Sequence, residues 1–138
     1  MSPEEIADRL EIDALITAYA VSVDARDWDA LRALFADDAV LDYSALDGPR
    51  AGVDEAVAWV AEGLSGFPAS QHLCVNREIH VLGDQARARC ALFNPLVDGA
   101  GRVHYVGGRY DDRFVRTTDG WRFRQRVATP TWSDFRTA

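Results

Sequence analysis

The chain has 138 residues, 48% of them hydrophobic and 27% charged, and its formal net charge is −7. This length suits one compact domain with a real core, so we expect a single domain over residues 1–138. The negative charge disfavours nucleic acid and anionic membranes as partners, and no apolar run approaches the about 18 residues of a membrane span. The acidic stretch MSPEEIADRLEID is unlike a secretory signal, which predicts a cytoplasmic location.

Several common catalytic motifs are missing from the sequence. All 15 basic residues are arginine, which excludes Schiff-base chemistry and the Walker-type phosphate lysine. GxSxG, HExxH and GxGxxG are also absent, and Cys74 and Cys90 lack CxxC spacing, which is typical of small buried hydrophobic residues. The remaining possibilities are acid–base chemistry by His, Asp and Tyr, with no cofactor and no metal, or no chemistry.

The first half of the chain has the apolar spacing of helices. A long amphipathic helix is predicted from about residue 3 to 23, and a short helix follows with Asp27 as its N-cap. A short strand is predicted over 40–44 and a third helix over 53–64. The inner face of the second helix would carry Trp28, Leu31, Leu34 and Phe35.

The second half is β-rich, with segments over 70–82, 86–97, 102–116 and 120–132 that are separated by the turn sequences GD, DGAG and TTDG. This pattern predicts an antiparallel meander. Three helices followed by a curved meander make an α+β domain in which the helices cover the concave face of one sheet. In ARARCALF the arginines alternate with small apolar residues, so one sheet face should be charged and solvated.

Asp24 closes the apolar stripe of the first helix, where the helix dipole carries partial negative charge. A carboxylate there loses a few tenths to about 1 kcal/mol before any desolvation, so a cation or a donor should compensate. His72 begins the first meander strand after a loop with Gly and Pro, at a position that opens onto the helices. We predict that Asp24 accepts a hydrogen bond from one ring nitrogen of His72 and leaves the other nitrogen as a base.

Other interpretations of these residues stay open. Asp24 could turn into solvent, and His72 could be a structural histidine at a strand end. We expect His80 and His104 to be structural or surface rings. A metal site of His72 and Cys74 would need further ligands, and nothing nearby supplies them.

Tyr19 on the first helix and Tyr43 on the short strand could donate hydrogen bonds to a substrate oxygen in an apolar cavity. Asn94 is an amide in apolar company; it could orient a substrate or the base, or cap a bend before Pro95. Five aromatic residues could form the pocket walls, although each could equally belong to the core: Trp59, Phe93, Tyr110, Phe114 and Trp132.

The order of these segments resembles a known family over nearly the whole chain. The helix with Tyr19 is followed by VDARDWDAL, FADDAVLDY, QH at 71–72 and GGRYDDRFVRTTDGWRF. This order resembles the SnoaL-like branch of the nuclear transport factor two-like (NTF2-like) superfamily, and in particular scytalone dehydratase, gamma-hexachlorocyclohexane dehydrochlorinase and bile acid 7-alpha dehydratase. The resemblance implies a cone-shaped α+β barrel in which Asp24 and His72 act as a dyad and Tyr19 and Tyr43 contact the substrate. These enzymes eliminate water or HCl from ring substrates without a cofactor.

The sequence departs from these relatives at one informative position. Near Pro95, scytalone dehydratase has a further histidine and the bile acid enzyme an aspartate, whereas this chain offers only Asn94. Tyr43 occupies the place of the base of ketosteroid isomerase, which argues against that chemistry. The Asp, Arg and Asp arrangement of limonene epoxide hydrolase is not evident either.

Our first hypothesis is therefore a cofactor-independent lyase, a dehydratase or a related elimination enzyme, acting on a small hydrophobic cyclic or carbonyl substrate. An isomerase or polyketide cyclase with the same dyad is the near alternative. A small-ligand carrier, or a structural subunit like the beta subunit of ring-hydroxylating dioxygenases, is an alternative from another class. Members of this group are often homo-oligomers, dimers or trimers, and Trp132 and Phe135 could pack on a neighbour or close the pocket.

Overall fold

The computed structural model describes residues 1–135 and contains three helices and one curved sheet. The helices are α1 (Pro3–Asp24), α2 (Trp28–Arg32) and α3 (Val53–Gly63). The strands are β1 (Phe35–Asp42), β2 (Arg50–Ala51), β3 (Ala69–Ser70), β4 (Leu73–Leu82), β5 (Gln85–Val97), β6 (Val103–Thr117) and β7 (Gly120–Ser133). Among the described residues, no helix is long and apolar enough to cross a membrane.

Local chemistry determines where α1 begins and ends. The Ser2 side chain accepts from the backbone N–H of Glu5 and the Glu5 carboxylate accepts from that of Ser2, a capping box with Pro3 as the first helical residue. The helix ends after Asp24, because Arg26 has a left-handed backbone with φ of 58°. Asp24 is therefore the last residue of the helix, one position beyond the predicted end.

The strands follow the order β2-β1-β7-β6-β5-β3, with β4 also paired to β5. The β1–β7 pair is parallel and the other pairs are antiparallel. Register shifts in the β4–β5 and β6–β7 pairs bend the sheet. The α+β prediction of three helices against a curved, mostly antiparallel sheet is confirmed.

The core lies between the helices and the concave face of the sheet. Ile12, Ile16 and Val23 of α1 are fully buried, as is Phe123 of β7. The inner side chains at the start of β5 are small, while the alternate residues are exposed arginines, as predicted. The inner residues are Ala86, Ala88 and Cys90, and the outer ones are Arg87 and Arg89.

Three predicted positions differ from the structure. Phe35 begins β1, where the sequence pattern suggested the second helix, because α2 is a single turn that ends at Arg32. Tyr43 follows β1 at the start of a 3-10 turn and is not within the strand. His72 lies in the break between β3 and β4, immediately before Leu73, and is not the first residue of a strand.

Candidate active site

Asp24 and His72 are in direct contact at the C-terminal end of α1. Nδ1 of His72 lies 2.7 Å from one carboxylate oxygen of Asp24, and the Ser70 hydroxyl donates to the same oxygen at 2.9 Å. The backbone N–H of His72 donates to the second oxygen at 2.7 Å. Burial opposes the charge of Asp24, but the hydrogen bonds from His72 and Ser70 outweigh it, and the pKa of Asp24 is lowered below its ordinary value. The contact expected from the helix-end position is present.

The two ring nitrogens of His72 have different partners. In the neutral imidazole, the Asp24 carboxylate can only accept, so the proton belongs on Nδ1 and Nε2 carries a lone pair. Nδ2 of Asn94 lies 3.2 Å from Nε2, so the Asn94 amide donates to that lone pair. The His72 side chain is 8% exposed. The structure thus presents a histidine with its tautomer fixed on one side and its lone pair in contact with an amide on the other.

Arg26 links the end of α1 to the loop before β3. One of its terminal nitrogens donates to the Ser70 hydroxyl at 2.7 Å and to the backbone carbonyl of Val23 at 2.8 Å. The other donates to the carbonyl of Phe67 at 2.7 Å. Ser70 therefore accepts from Arg26 and donates to Asp24, which holds the carboxylate in place. Sequence reasoning missed both residues, although Ser70 lies two positions before His72, the spacing that places extended residues on one side of the chain.

Tyr19 and Tyr43 form a second cluster, with their hydroxyl oxygens 2.5 Å apart. The Tyr43 ring stacks on Trp59 at a centroid distance of 5.0 Å, and the Tyr19 ring meets Tyr110 edge-on at 5.7 Å. Burial raises the pKa of Tyr43 well above its usual value, so its hydroxyl stays protonated. Within residues 1–135, neither phenol is hydrogen-bonded to the Asp24–His72 pair.

A buried ion pair that the sequence analysis did not single out lies beside the tyrosines. Arg126 of β7 is 0% exposed and makes two hydrogen bonds of 2.8 Å with the carboxylate of Asp112 on β6. The guanidinium centre lies 4.1 Å from the Tyr19 ring centroid and 3.8 Å from that of Tyr110. Burial opposes the charge of Arg126, but the Asp112 carboxylate outweighs it and raises the pKa of the guanidinium. Its nitrogen Nη1 has no hydrogen-bond partner within the described part of the chain.

Three of the predicted wall residues lie elsewhere. Asn94 lies on β5 and faces the inner side of the sheet. Because side chains alternate along a strand, Phe93 faces the outer side, where it is 39% exposed. Trp132 is 48% exposed and lies 6.0 Å from Phe93, over Gly107. Phe114 is buried, but it pairs with Ala86 on β5, eight residues and roughly 26 Å from Asn94 at about 3.3 Å per residue. The side chains of Phe93, Trp132 and Phe114 therefore do not lie beside the Asn94 amide.

Cavities of about 460 and 720 Å³ lie on the outer face of the sheet. Both are lined by His80, Arg87 and Arg113, and neither includes Asp24 or His72. At the start of β6, the Phe135 ring stacks on His104 at a centroid distance of 4.6 Å. Phe135 thus packs on aromatic rings of its own chain, and its role at a pocket or at a neighbouring subunit stays a prediction. The contacts around His72, and not these two cavities, define the candidate site.

A protein-family comparison identifies the class to which this fold and site belong. Residues 4–127 match the model of the SnoaL-like domain, so the chain belongs to that family, as its sequence pattern suggested. An uncharacterized protein of Mycobacterium tuberculosis is 41% identical over 131 residues, which cover 94% of this chain and 89% of the relative.

Two solved structures from Novosphingobium aromaticivorans are similar over almost the full length. A protein named as a candidate aromatic ring hydroxylase is 30% identical with a TM-score of 0.84, and the match covers 96% of this chain and 93% of that one. A protein named as a candidate scytalone dehydratase is 20% identical with a TM-score of 0.88, and the match covers 100% of this chain and 94% of that one. The second likeness shows that the two chains share one fold.

Proposed function

We propose that the protein is a cofactor-independent lyase in which His72 removes a proton from carbon and Asp24 holds the imidazole. The observation that carries the proposal is the 2.7 Å contact between Nδ1 of His72 and a carboxylate that two further donors hold in place. With its proton fixed on Nδ1, His72 uses Nε2 as the base. The imidazolium formed on proton transfer is stabilised by the negative charge of Asp24. General base catalysis of this kind contributes about 10²- to 10⁴-fold.

The substrate class we propose is a small hydrophobic cyclic or carbonyl compound that loses water. Tyr19 and Tyr43 supply two phenol hydroxyls, and Tyr19 lies five residues before Asp24, about 7.5 Å along the helix axis at about 1.5 Å per residue. The Arg126 guanidinium lies against the Tyr19 ring, but the Asp112 carboxylate balances its charge, so the two phenols act as the donors to a substrate oxygen. A carbonyl oxygen that gains charge as the α-proton leaves would be stabilised by these groups.

An isomerase or polyketide cyclase remains the second candidate, because both reactions begin with the same proton removal. The short Tyr19–Tyr43 contact favours any reaction through an enolate, with or without a leaving group. The products separate the candidates: elimination releases water and forms a new double bond, whereas isomerisation conserves the atoms of the substrate.

The test is turnover of a panel of cyclic β-hydroxy ketones, followed by the ultraviolet absorbance of the enone product. His72→Ala and Asp24→Asn should each abolish most activity, and the double variant should be little worse than His72→Ala, because the two residues act as a unit. His80→Ala is the matched control, since His80 is an exposed histidine on the outer side of β4. Activity in His72→Ala equal to that of His80→Ala, or no turnover by the wild-type protein, contradicts the proposal.

A further inference from the structure

Asn94 carries a buried acceptor that no group in the described part of the chain uses. Its residue is 7% exposed, on the inner side of β5 between Leu92 and Leu96. The amide nitrogen contacts Nε2 of His72, but the side-chain oxygen Oδ1 is buried with no hydrogen-bond partner within residues 1–135. A leucine at this position would fit the apolar row of the strand, so the amide has a cost that packing does not explain.

The Asp24 carboxylate determines which end of the amide faces His72. Because the carboxylate accepts at Nδ1, the neutral ring offers only a lone pair at Nε2, and only the NH₂ end of Asn94 can donate to it. Oδ1 is thereby directed away from the ring. The hydrogen-bond network, and not an arbitrary choice of amide orientation, leaves this oxygen free beside the proposed base.

We propose that Oδ1 of Asn94 accepts a hydrogen bond from a hydroxyl group of the substrate, so that the site selects alcohols over the corresponding halides. An unpaired buried carbonyl oxygen has lost its hydration without compensation, a cost that a bound O–H would recover and a C–Cl bond would not. Sites that hydrogen-bond a substrate hydroxyl discriminate strongly against analogues that lack it. Asn94 is then a specificity-determining residue.

This inference deepens the proposed lyase function, on which its chemical step rests. As the substrate enters, its carbon-bound hydrogen replaces the Asn94 amide at Nε2 of His72. His72 takes the proton, the C–H electron pair becomes the new π bond, and the C–O bond breaks. The proton then passes from His72 to the departing hydroxyl, which leaves as water, so nothing is oxidised or reduced. With its hydrogen held by Oδ1, the hydroxyl has its lone pairs free to receive that proton.

The experiment uses two unreactive probes of one shape, cyclohexanol and chlorocyclohexane, titrated into the ¹⁵N-labelled full chain and followed by the amide resonances of Asn94 and His72. The wild-type protein should bind cyclohexanol about tenfold more tightly or better, the effect of one hydrogen bond to a buried acceptor. Asn94→Leu should remove this preference while retaining chlorocyclohexane binding. Gln85→Leu, an exposed amide on the same strand, should keep it.

Three outcomes overturn the inference: an undiminished preference in Asn94→Leu, equal binding of both probes by the wild-type protein, or no binding of cyclohexanol up to its solubility limit. Because binding is measured without turnover, failure of the lyase proposal is separable. An alcohol preference that depends on Asn94 in a protein that never eliminates water would retain the Asn94 role and refute the lyase. Turnover of hydroxy ketones with a preference that Asn94→Leu leaves intact would do the reverse.

Discussion

Replacement of Asp112 by Asn should destabilise the protein by about 3–5 kcal/mol, because it leaves the Arg126 guanidinium buried without its counter-charge. The structure supports the upper part of this range. Arg126 is 0% exposed, both hydrogen bonds that it makes within residues 1–135 go to Asp112, and the rings of Tyr19 and Tyr110 lie against its guanidinium. Typical domains have a free energy of unfolding of about 5–15 kcal/mol, so the loss is a large share of it.

The opposite substitution, Arg126→Met, should make the free energy of unfolding depend on pH. Burial raises the pKa of the Asp112 carboxyl, and without Arg126 nothing opposes that shift. A carboxyl whose folded-state pKa lies above its unfolded value stabilises the protein most at low pH, and this stability is lost as pH rises through the folded pKa. Between the unfolded and the folded pKa of Asp112, the free energy of unfolding should therefore fall by up to about 1.4 kcal/mol per pH unit. Arg126→Met combined with Asp112→Leu should be near neutral.

Urea unfolding followed by tryptophan fluorescence at pH 5 and pH 7 measures these differences by linear extrapolation. Asp119→Asn serves as the control, because Asp119 is an exposed acid in the β6–β7 turn and its replacement should change stability by less than about 0.5 kcal/mol. The reasoning is refuted if Asp112→Asn is as stable as Asp119→Asn, or if Arg126→Met is equally stable at both pH values.

Two further predictions concern the site and the outer face. The pKa of Asp24 is lowered in the folded protein, so its hydrogen bonds stabilise the fold at pH values above its ordinary pKa of 3.8. This stabilisation is lost as the pH falls through the lower pKa of the folded state. The stability deficit of Asp24→Asn should thus be about 1–3 kcal/mol at pH 6 and smaller at pH 3 by urea unfolding; an equal deficit at both pH values would contradict it. The exposed aromatic surface of Phe93 and Trp132 is the candidate contact of the expected homo-oligomer. Phe93→Ser and Trp132→Ser should then lower the mass measured by light scattering, whereas Leu82→Ser, at the exposed last residue of β4, should not. Unchanged mass in both aromatic variants excludes this surface.

The sequence was sufficient to predict the contact between Asp24 and His72. A carboxylate at the end of an apolar helical stripe needs a donor, and His72 is the histidine that comes immediately before the first long meander strand. The supporting contacts of Ser70 and Arg26 were not predictable in the same way. They depend on the break between β3 and β4 and on the left-handed backbone of Arg26, neither of which has a periodic signal.

The alternation of side chains along the strands explains why the predicted facing of some residues differs from the structure. Phe93 and Asn94 are neighbours on one strand, so they cannot face the same cavity, and the two predictions for them were incompatible. On β7, Trp121 and Phe123 point inward, and simple alternation would place Gln125 inward as well. A bulge shifts the register so that Phe114 pairs with Phe123 and Arg113 with Gln125, and Arg126 faces inward opposite Asp112. The extra residue of the bulge turns an apparently solvated arginine into the buried cation.

The parallel pairing of β1 with β7 has a consequence for the order in which the chain can fold. β1 ends at Asp42, whereas its parallel neighbour β7 begins only at Gly120. The ribosome therefore makes one of these paired strands early and the other near the end of the chain. Until β7 emerges from the ribosome, the inner residues of β1 lack the strand that joins them to the meander. Long-range pairing of this kind slows folding and exposes apolar surface to other nascent chains. A chain that stops before Gly120 should therefore aggregate or be degraded, even though it contains the Asp24–His72 pair.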